Sequence, residues 1–318
     1  MSSERFDLIT MGRVGVDLYP EQIGVSLADV TSFGKFLGGS ATNVAVAAAR
    51  LGRRTAVITK VGRDGFGDYV RTALAGFGVD ARWVGTDPYL RTPIVFCEIY
   101  PPDRFPLLFY REPKAPDMNL TRDELDLDAI AAAPLFWTTG TGLSDEPSRT
   151  ATLAALEVRG GRDVTIHDLD HRSMFWRVQE EARRYARQAL RHATVVVGNS
   201  DEVEMATGLR DPRAASAALL EMGPRLAVVK RGGDGAYART SGDEVSVPAV
   251  ETRVLNGLGA GDAFGGALCH GILAGWPLAR TLEVANAAGA IVASRLACAD
   301  AMPTLAEIES LLARRVPT

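Results

Sequence analysis

Cysteine and histidine are scarce: this sequence of 318 residues contains only three cysteines and four histidines. Cys97, Cys269 and Cys298 lie far apart and are odd in number, so their spacing predicts neither a disulfide framework nor a zinc site. Such cysteine usage is typical of a reducing compartment, and we therefore expect the protein to be cytoplasmic.

Long hydrophobic runs and an excess of basic charge are also missing. The longest uncharged stretch, residues 263–279, is short and interrupted by glycine and proline, so no membrane span is expected. Residues 1–7 reach charged side chains before any apolar run, which argues against a secretory signal. Lysine and arginine total 35 against 39 aspartate and glutamate, which gives a formal net charge of −4. That balance does not favour a nucleic-acid partner, and any anionic ligand must be held by local groups.

Short apolar runs alternate with helical segments, which predicts βαβ units around a mainly parallel sheet. Two regions, about 16–36 and 91–111, look like strands without crossover helices and predict a small β lid over the edge of that sheet. Because there are no repeats or linkers, we predict one α/β domain over residues 1–318. Strands are expected at 6–11, 55–61, 135–139, 164–167, 194–198 and 225–230, and helices at 43–51, 66–76, through most of 257–295 and near the C-terminus.

Glycine is abundant, with 32 residues, and its strongest cluster is Gly257-Leu258-Gly259-Ala260-Gly261-Asp262 at the start of a predicted helix. Backbone amides approach an oxyanion closely where Cβ atoms are absent, and a helix N-terminus offers free N–H groups, so this segment suits a phosphate. Asp262 would lie beside such a phosphate, where it could act as the general base that takes the proton from an attacking hydroxyl. An ordinary helix start, at which the dipole favours aspartate, is an equally good interpretation.

Two further glycine clusters stand before or between predicted elements. Gly38-Gly39-Ser40-Ala41-Thr42-Asn43 opens a helix, and Asn43 could bond a polyol; a plain turn with a capping residue is the alternative. Lys230-Arg231-Gly232-Gly233-Asp234-Gly235 could cradle nucleotide phosphates or simply form a hairpin turn. None of the three clusters matches a P-loop or a dinucleotide-binding glycine pattern.

The order and spacing of these motifs resemble the ribokinase-like (PfkB) family of sugar kinases over essentially the whole chain. Gly38-Gly39 with Asn43 matches the first family signature, and residues 256–268 match the second. Asn199-x-x-Glu202 matches a magnesium-associated motif, and residues 286–290 resemble the helix on the adenine side. The resemblance implies a Rossmann-type α/β/α sandwich with a β lid, ATP and Mg²⁺ as cofactors, phosphoryl transfer to a sugar hydroxyl, and a homodimer through lid strands near 94–99.

Roles for single residues follow from the same resemblance. Asp262 looks like the base, and the anion hole looks like Gly259, Ala260 and Gly261. The expected sugar ligands are Asp17, Gly38, Gly39 and Asn43. The expected ATP contacts are Asn199, Lys230, Gly232, Gly235, Gly259, Gly261 and Asn286, with Mg²⁺ held through water by Asn199 and Glu202. Asn256-Gly257-Leu258 stands where many members have Asp-Thr-Thr, so we do not predict a monovalent-cation site.

Substrate choice should depend on the lid and the sheet edge. A sugar acid carries a carboxylate, which arginine binds best through two parallel hydrogen bonds. Arg111, which follows Phe109 in the lid, and Arg172 resemble carboxylate-binding arginines of the 2-keto-3-deoxygluconate kinase branch. Lys35, near the first glycine pair, is a third candidate, and Phe109 is also expected to contact the substrate.

Longer segments of the lid and substrate regions resemble one member of the family that phosphorylates the C6 hydroxyl of 5-dehydro-2-deoxygluconate in inositol catabolism. These segments are residues 16–25, 31–40, 96–99 with 101–103, and 168–176. We therefore predict a kinase for that sugar acid. There are two alternatives. One is a kinase for 2-keto-3-deoxygluconate, fructose or ribose, and the other is a non-catalytic sugar or nucleotide sensor on a kinase scaffold.

Overall fold

A computed structural model describes residues 5–161 and 163–314. Within these ranges it contains fourteen strands, ten α-helices and several short 3₁₀ turns. The strands are β1 (Leu8–Met11), β2 (Gly15–Pro20), β3 (Phe33–Gly38), β4 (Thr55–Gly62), β5 (Val79–Asp80), β6 (Val84–Asp87), β7 (Ile94–Cys97), β8 (Leu107–Tyr110), β9 (Leu135–Thr139), β10 (Val164–Asp168), β11 (Val195–Asn199), β12 (Leu226–Lys230), β13 (Ala236–Thr240) and β14 (Glu244–Val247). The helices are α1 (Ser40–Arg50), α2 (Gly65–Gly76), α3 (Leu127–Ala132), α4 (Ser148–Arg159), α5 (Gln179–Leu190), α6 (Ser200–Thr207), α7 (Pro212–Glu221), α8 (Ala260–Leu273), α9 (Leu278–Ala293) and α10 (Leu305–Ala313).

A large sheet runs through the centre in the order β14-β13-β12-β11-β10-β9-β1-β4-β5, with β6 also paired to β4. All its pairings are parallel except those that β13 makes with β12 and β14. Alternate residues of β1 pack on opposite sides, since Leu8 lies in a cluster with α1, α8 and α9, and Ile9 in one with α3 and α4. The predicted α/β/α sandwich is thus confirmed, and burial on both faces explains its apolar strands.

A second, four-stranded sheet has the order β3-β2-β7-β8. Its strands come from the two regions, about 16–36 and 91–111, that lack crossover helices. In its register Asp17 pairs with Phe36, and Leu18 pairs with Lys35 and Phe96. Because neighbouring residues of a strand point to opposite faces, Asp17 and Leu18 lie on different sides of this sheet.

The predicted core strands agree with the observed ones to within two residues. The helix predicted at 43–51 begins earlier, at Ser40, because the chain already turns into the helix after Gly39. The segment after Lys230 forms the turn between antiparallel strands β12 and β13, as its hairpin interpretation predicted. Among the helices of the two described ranges, none combines the length and apolarity needed to cross a bilayer.

Candidate active site

Several polar residues follow the carboxyl ends of the parallel strands. Asp168 ends β10, Asn199 ends β11 and Lys230 ends β12, while Arg13 follows β1. Parallel strands end at a common edge of the sheet, which is where α/β proteins bind ligands. The N-terminus of α8, which begins at Ala260, carries Asp262, whose charge acts on Asp168 and Lys230.

The N-terminus of α8 offers two free backbone donors. Gly259 is its N-cap with φ 80°, and a Cβ there would lie 2.8 Å from the Sγ of Cys298, so the position requires glycine. The amides of Asp262 and Ala263 donate to the Gly259 carbonyl. The preceding amides, of Ala260 and Gly261, have no acceptor within the helix and are available to an anion.

Asn256 shapes the loop that leads into this helix. It is fully buried, its Nδ2 donates to the Leu296 carbonyl over 2.6 Å, and its Oδ1 accepts the amide of Leu258 over 3.1 Å. Both ends of the side chain are therefore occupied by backbone groups, and an amide carries no charge to attract a cation.

Asp262 lies in the first turn of α8 and is partly accessible. Its Oδ2 accepts a 2.8 Å hydrogen bond from Nδ2 of Asn43, a residue 219 positions away that α1 brings close by packing on α8. Desolvation raises the pKa of Asp262 to about 6; the Asn43 hydrogen bond opposes that rise, and the charge of Asp170 adds to it. A carboxyl group with such a pKa is ionised near neutral pH yet is a better proton acceptor than an ordinary aspartate.

Asp17 projects from β2 on the buried face of the four-stranded sheet. It accepts a 3.0 Å hydrogen bond from the hydroxyl of Tyr19, which also lies 2.6 Å from the Sγ of Cys298. A Cβ on Gly38 would overlap the Asp17 carboxylate, so glycine lets the two strands approach here. Burial raises the pKa of Asp17 to about 6, with a further rise from Asp262. The sheet edge therefore brings Asp17 within electrostatic range of Asp262.

Arg111 and Arg172 are already paired with carboxylates of the chain. Both terminal nitrogens of Arg111 contact Asp117, which is buried. Arg172 lies 3.1 Å from Asp170 and 3.5 Å from Glu202. Phe109 packs edge-on against Phe175, whose ring also faces Arg111.

Lys35 is not brought to this group of residues. It pairs with Leu18 across the four-stranded sheet and therefore shares the face opposite to that of Asp17. Its Nζ lies 3.9 Å from the centre of the Tyr69 ring. Lys35 is close to the first glycine pair in the sequence. Side chains alternate between the two faces of a strand, however, and Lys35 lies on the face away from Asp17.

Asn199 and Glu202 form a reciprocal cap on α6. The Asn199 side chain accepts the Glu202 amide over 2.9 Å, and the Glu202 carboxylate accepts the Asn199 amide over 2.7 Å. The spacing of this motif thus has a local structural cause. The second oxygen of Glu202 faces Arg172.

The candidate nucleotide residues lie along β12 and α9. Lys230 is 3.6 Å from Asp168, whose pKa burial raises to about 7 although Lys230 opposes the rise. Gly232 has φ 55° and faces open space, while Gly235 has φ 85° and packs against the Val247 carbonyl. Asn286 Nδ2 donates to the Pro248 carbonyl over 3.1 Å, which ties α9 to the chain after β14.

Four residues at this site were not found from the sequence: Arg13, Tyr19, Asp168 and Asp170. Asp170 has φ 30°, the only positive value of a non-glycine residue within the two described ranges. It accepts hydrogen bonds from Ser40 Oγ over 2.5 Å and Thr141 Oγ1 over 3.0 Å. Its position two residues after a buried strand was a usable signal, because such positions lie at the ligand-binding edge.

Comparison with known proteins agrees with this architecture. The model of the pfkB family carbohydrate kinases matches residues 6–305. A Listeria monocytogenes protein named 5-dehydro-2-deoxygluconokinase is 33% identical over 98% of both chains, and one of the same name from Photobacterium profundum is 36% identical over 94% of this chain and 92% of its own. The structure of a putative ribokinase II from E. coli in complex with ATP and Mg²⁺ is 26% identical, covers 98% of this chain and 100% of its own, and has a TM-score of 0.88. The protein therefore belongs to the pfkB family of carbohydrate kinases.

Proposed function

We propose that this kinase phosphorylates the C6 hydroxyl of 5-dehydro-2-deoxygluconate, with Asp262 as the general base. The observation that carries the proposal is the placement of the Asp262 carboxylate in the first turn of α8, next to two free amides and hydrogen-bonded to Asn43. The choice of sugar acid is supported by the names of relatives that match nearly the whole chain.

Membership of the family makes the protein an ATP-dependent phosphotransferase. ATP supplies the phosphoryl group, and Mg²⁺ neutralises charge on its phosphates. The residues that would contact the nucleotide are Asn199, Lys230, Gly232, Gly235, Gly259, Gly261 and Asn286. The backbone at Gly232 is open to an approaching ligand, because a Cβ there would meet no atom within 4 Å.

Mg²⁺ would be held through water by Asn199 and Glu202. Within residues 5–161 and 163–314, no three histidine, cysteine, aspartate or glutamate side chains converge closely enough to bind a metal ion directly. Mg²⁺ usually keeps several waters and takes one or two carboxylates together with substrate phosphates. That preference fits a region in which Glu202 and Asp168 are close enough to influence each other electrostatically.

The chemical roles of the chain follow from the geometry. Asp17, Gly38, Gly39 and Asn43 would hold the sugar, and Asp262 would accept the proton of the attacking hydroxyl. The Asn43 side chain would keep the Asp262 carboxylate oriented through their 2.8 Å hydrogen bond. The amides of Ala260 and Gly261, with Gly259 as the cap, would donate to the charge that develops on the transferred group.

An ADP-release assay on a substrate panel tests the proposed substrate. The panel contains 5-dehydro-2-deoxygluconate, 2-keto-3-deoxygluconate, fructose and ribose, and we expect the highest kcat/KM with the first. A higher value with another sugar would overturn the proposed substrate. Binding of the sugar acid without any turnover would instead favour a sensor on a kinase scaffold.

The elevated pKa values predict a loss of activity in mild acid. Burial raises the pKa of both Asp262 and Asp17 to about 6. Because Asp262 must be ionised to accept a proton, kcat/KM for the sugar should be retained above pH 6 and fall as the pH drops through about 6. The check is a pH profile at saturating Mg-ATP. A rate that stays flat down to pH 4.5 would show that neither carboxylate titrates as the structure indicates.

We also infer a homodimer through the outer face of the four-stranded sheet. The cross-strand pairs Ile94–Tyr110 and Phe96–Leu108 lie on this face, where Tyr110 is 61% and Leu108 46% exposed. Large apolar side chains exposed side by side favour a protein partner, and a second copy of the sheet would cover them.

Replacing Leu108 and Tyr110 together by glutamate should convert the dimer to a monomer, because two charges on each copy would have to be desolvated in the interface. Sedimentation velocity measures the mass. Leu209→Glu, at an exposed leucine between α6 and α7, is the matched control and should leave the mass unchanged. A wild-type monomer at micromolar concentration, or a double variant that still dimerises, would contradict the inference.

A further inference from the structure

Arg13 lies where the central sheet passes into the four-stranded sheet, between β1 and β2. Its side chain is only 12% exposed. It approaches Asp170 through Nε at 3.8 Å, which is beyond hydrogen-bond distance. Nε is buried without a hydrogen-bond partner, and the terminal nitrogens have none within the part of the chain that the structure describes. Arg13 is thus a largely buried guanidinium with free donors.

Free donors in such a position are unfavourable unless a ligand uses them. A guanidinium has five N–H donors in a planar fork, and leaving buried charged donors unpaired costs stability. That fork matches a carboxylate, which it can bind through two parallel hydrogen bonds. The Phe109 ring, 5.9 Å from the guanidinium carbon, limits the orientations open to the side chain.

Arg13 lies within electrostatic range of carboxylates in the proposed sugar site. Its charge is close enough to favour ionisation of Asp17, Asp170 and Asp262. Arg172 contacts Oδ1 of Asp170, and the hydroxyls of Ser40 and Thr141 donate to Oδ2, the oxygen that Arg13 approaches, so the carboxylate of Asp170 has close partners without Arg13.

The two other arginines near the cleft are paired more closely than Arg13. Arg111 is bound by Asp117 through both terminal nitrogens, and Arg172 contacts Asp170 and Glu202. Lys230 is 3.6 Å from Asp168 on the nucleotide side. An anionic substrate placed beside Asp17 and Asp262 needs a cation whose hydrogen-bond donors are free, and Arg13 meets that need although Asp170 lies 3.8 Å from its Nε.

We propose that Arg13 binds the carboxylate of the substrate and thereby selects sugar acids over neutral sugars. This inference rests on the proposed function, because it assumes that the sugar site receives an acid. The specificity role thus moves from Arg111 and Arg172, whose charges are paired with Asp117, Asp170 and Glu202, to a residue at the junction of the two sheets.

The test compares each acid with its own neutral carboxamide in the wild type, Arg13→Met and Arg13→Lys. Arg13→Met should raise KM for the acid by about 10- to 100-fold, the range expected for lost hydrogen bonds to a charged group. KM for the carboxamide and for ATP should stay within a few-fold, and kcat should change little, since the lost contact serves binding. Arg13→Lys keeps the positive charge but not the planar fork of donors, so its KM for the acid should lie between those of the wild type and Arg13→Met. Thermal denaturation and the unchanged ATP KM verify that the variants are folded.

Each outcome separates this inference from the proposed function. A preference for the acid that disappears in Arg13→Met supports the inference, even if the preferred acid is not 5-dehydro-2-deoxygluconate and the proposed substrate fails. An acid preference that persists in Arg13→Met and Arg13→Lys overturns the role of Arg13 and leaves the proposed function standing. If the wild type has the same KM for the acid and for its carboxamide, the carboxylate contact is overturned. If Arg13→Met does not fold, the Arg13→Lys ratio of acid to carboxamide decides between these outcomes.

Discussion

Replacing Asp262 by asparagine should lower kcat at least about 10²-fold, because positioned general-base catalysis typically contributes 10²- to 10⁴-fold. Asparagine has nearly the same shape and can still pair with the Asn43 amide by turning its oxygen toward Nδ2, so the fold and the sugar site should persist. KM for ATP should change by no more than a few-fold. The measurement is steady-state kinetics with the sugar acid and with ATP varied in turn.

Asp128 offers a matched control for this substitution. It also lies in the first turn of a helix, α3, but is exposed to solvent, and Asp128→Asn should leave kcat unchanged. Turnover of Asp262→Asn within a few-fold of the wild type would remove Asp262 from the role of base. A loss that appeared only in KM would instead assign Asp262 to sugar binding.

Gly38→Ala should reduce kcat/KM for the sugar by about 10²-fold, because a misplacement of about 1 Å at a reacting site can cost that much. The added Cβ would overlap the carboxylate of Asp17, which has to move away from the hydroxyl groups that it is proposed to bind. The backbone at Gly38 has no positive φ, so the effect arises from the clash and not from the conformation of β3.

A double-mutant cycle isolates this cause. If the clash acts through Asp17, then Gly38→Ala should have little further effect in an Asp17→Ala background, because alanine leaves room for the new methyl group. Gly76→Ala, at the end of α2 where a Cβ meets nothing within 4 Å, is the control and should stay within two-fold of the wild type. Full additivity of Gly38→Ala and Asp17→Ala would mean that the glycine acts on something other than Asp17.

Much of the fold could be predicted because its signals are local. Buried parallel strands such as β4 and β9 appear as short apolar runs, and β9 was predicted at its observed bounds. The alternation of strands with helical segments is sufficient to indicate an α/β sandwich. The glycine clusters likewise mark a helix start and a hairpin, since glycine permits conformations that other residues rarely adopt.

The candidate site was predicted less completely, because it depends on which distant side chains meet. Arg111 and Arg172 resemble ligand-binding arginines, but no local pattern shows that Asp117 and Asp170 pair with them. Asn199 and Glu202 were considered only for ATP and its Mg²⁺, although their spacing is also that of a capping box. Arg13 follows a strand like many other residues, and its sequence neighbours do not reveal that its guanidinium is buried and free.

The sequence by itself determined the sandwich, the positions of the glycine turns and the presence of Asp262 at a helix start, because each depends on backbone preferences over a few residues. Only the tertiary structure decided which charges are neutralised, that Lys35 faces away from Asp17, and that Asn43 meets Asp262 across 219 residues. The physical reason is that the pairing of charges and the face of a strand are set by register and by helix packing, which are properties of the assembled chain.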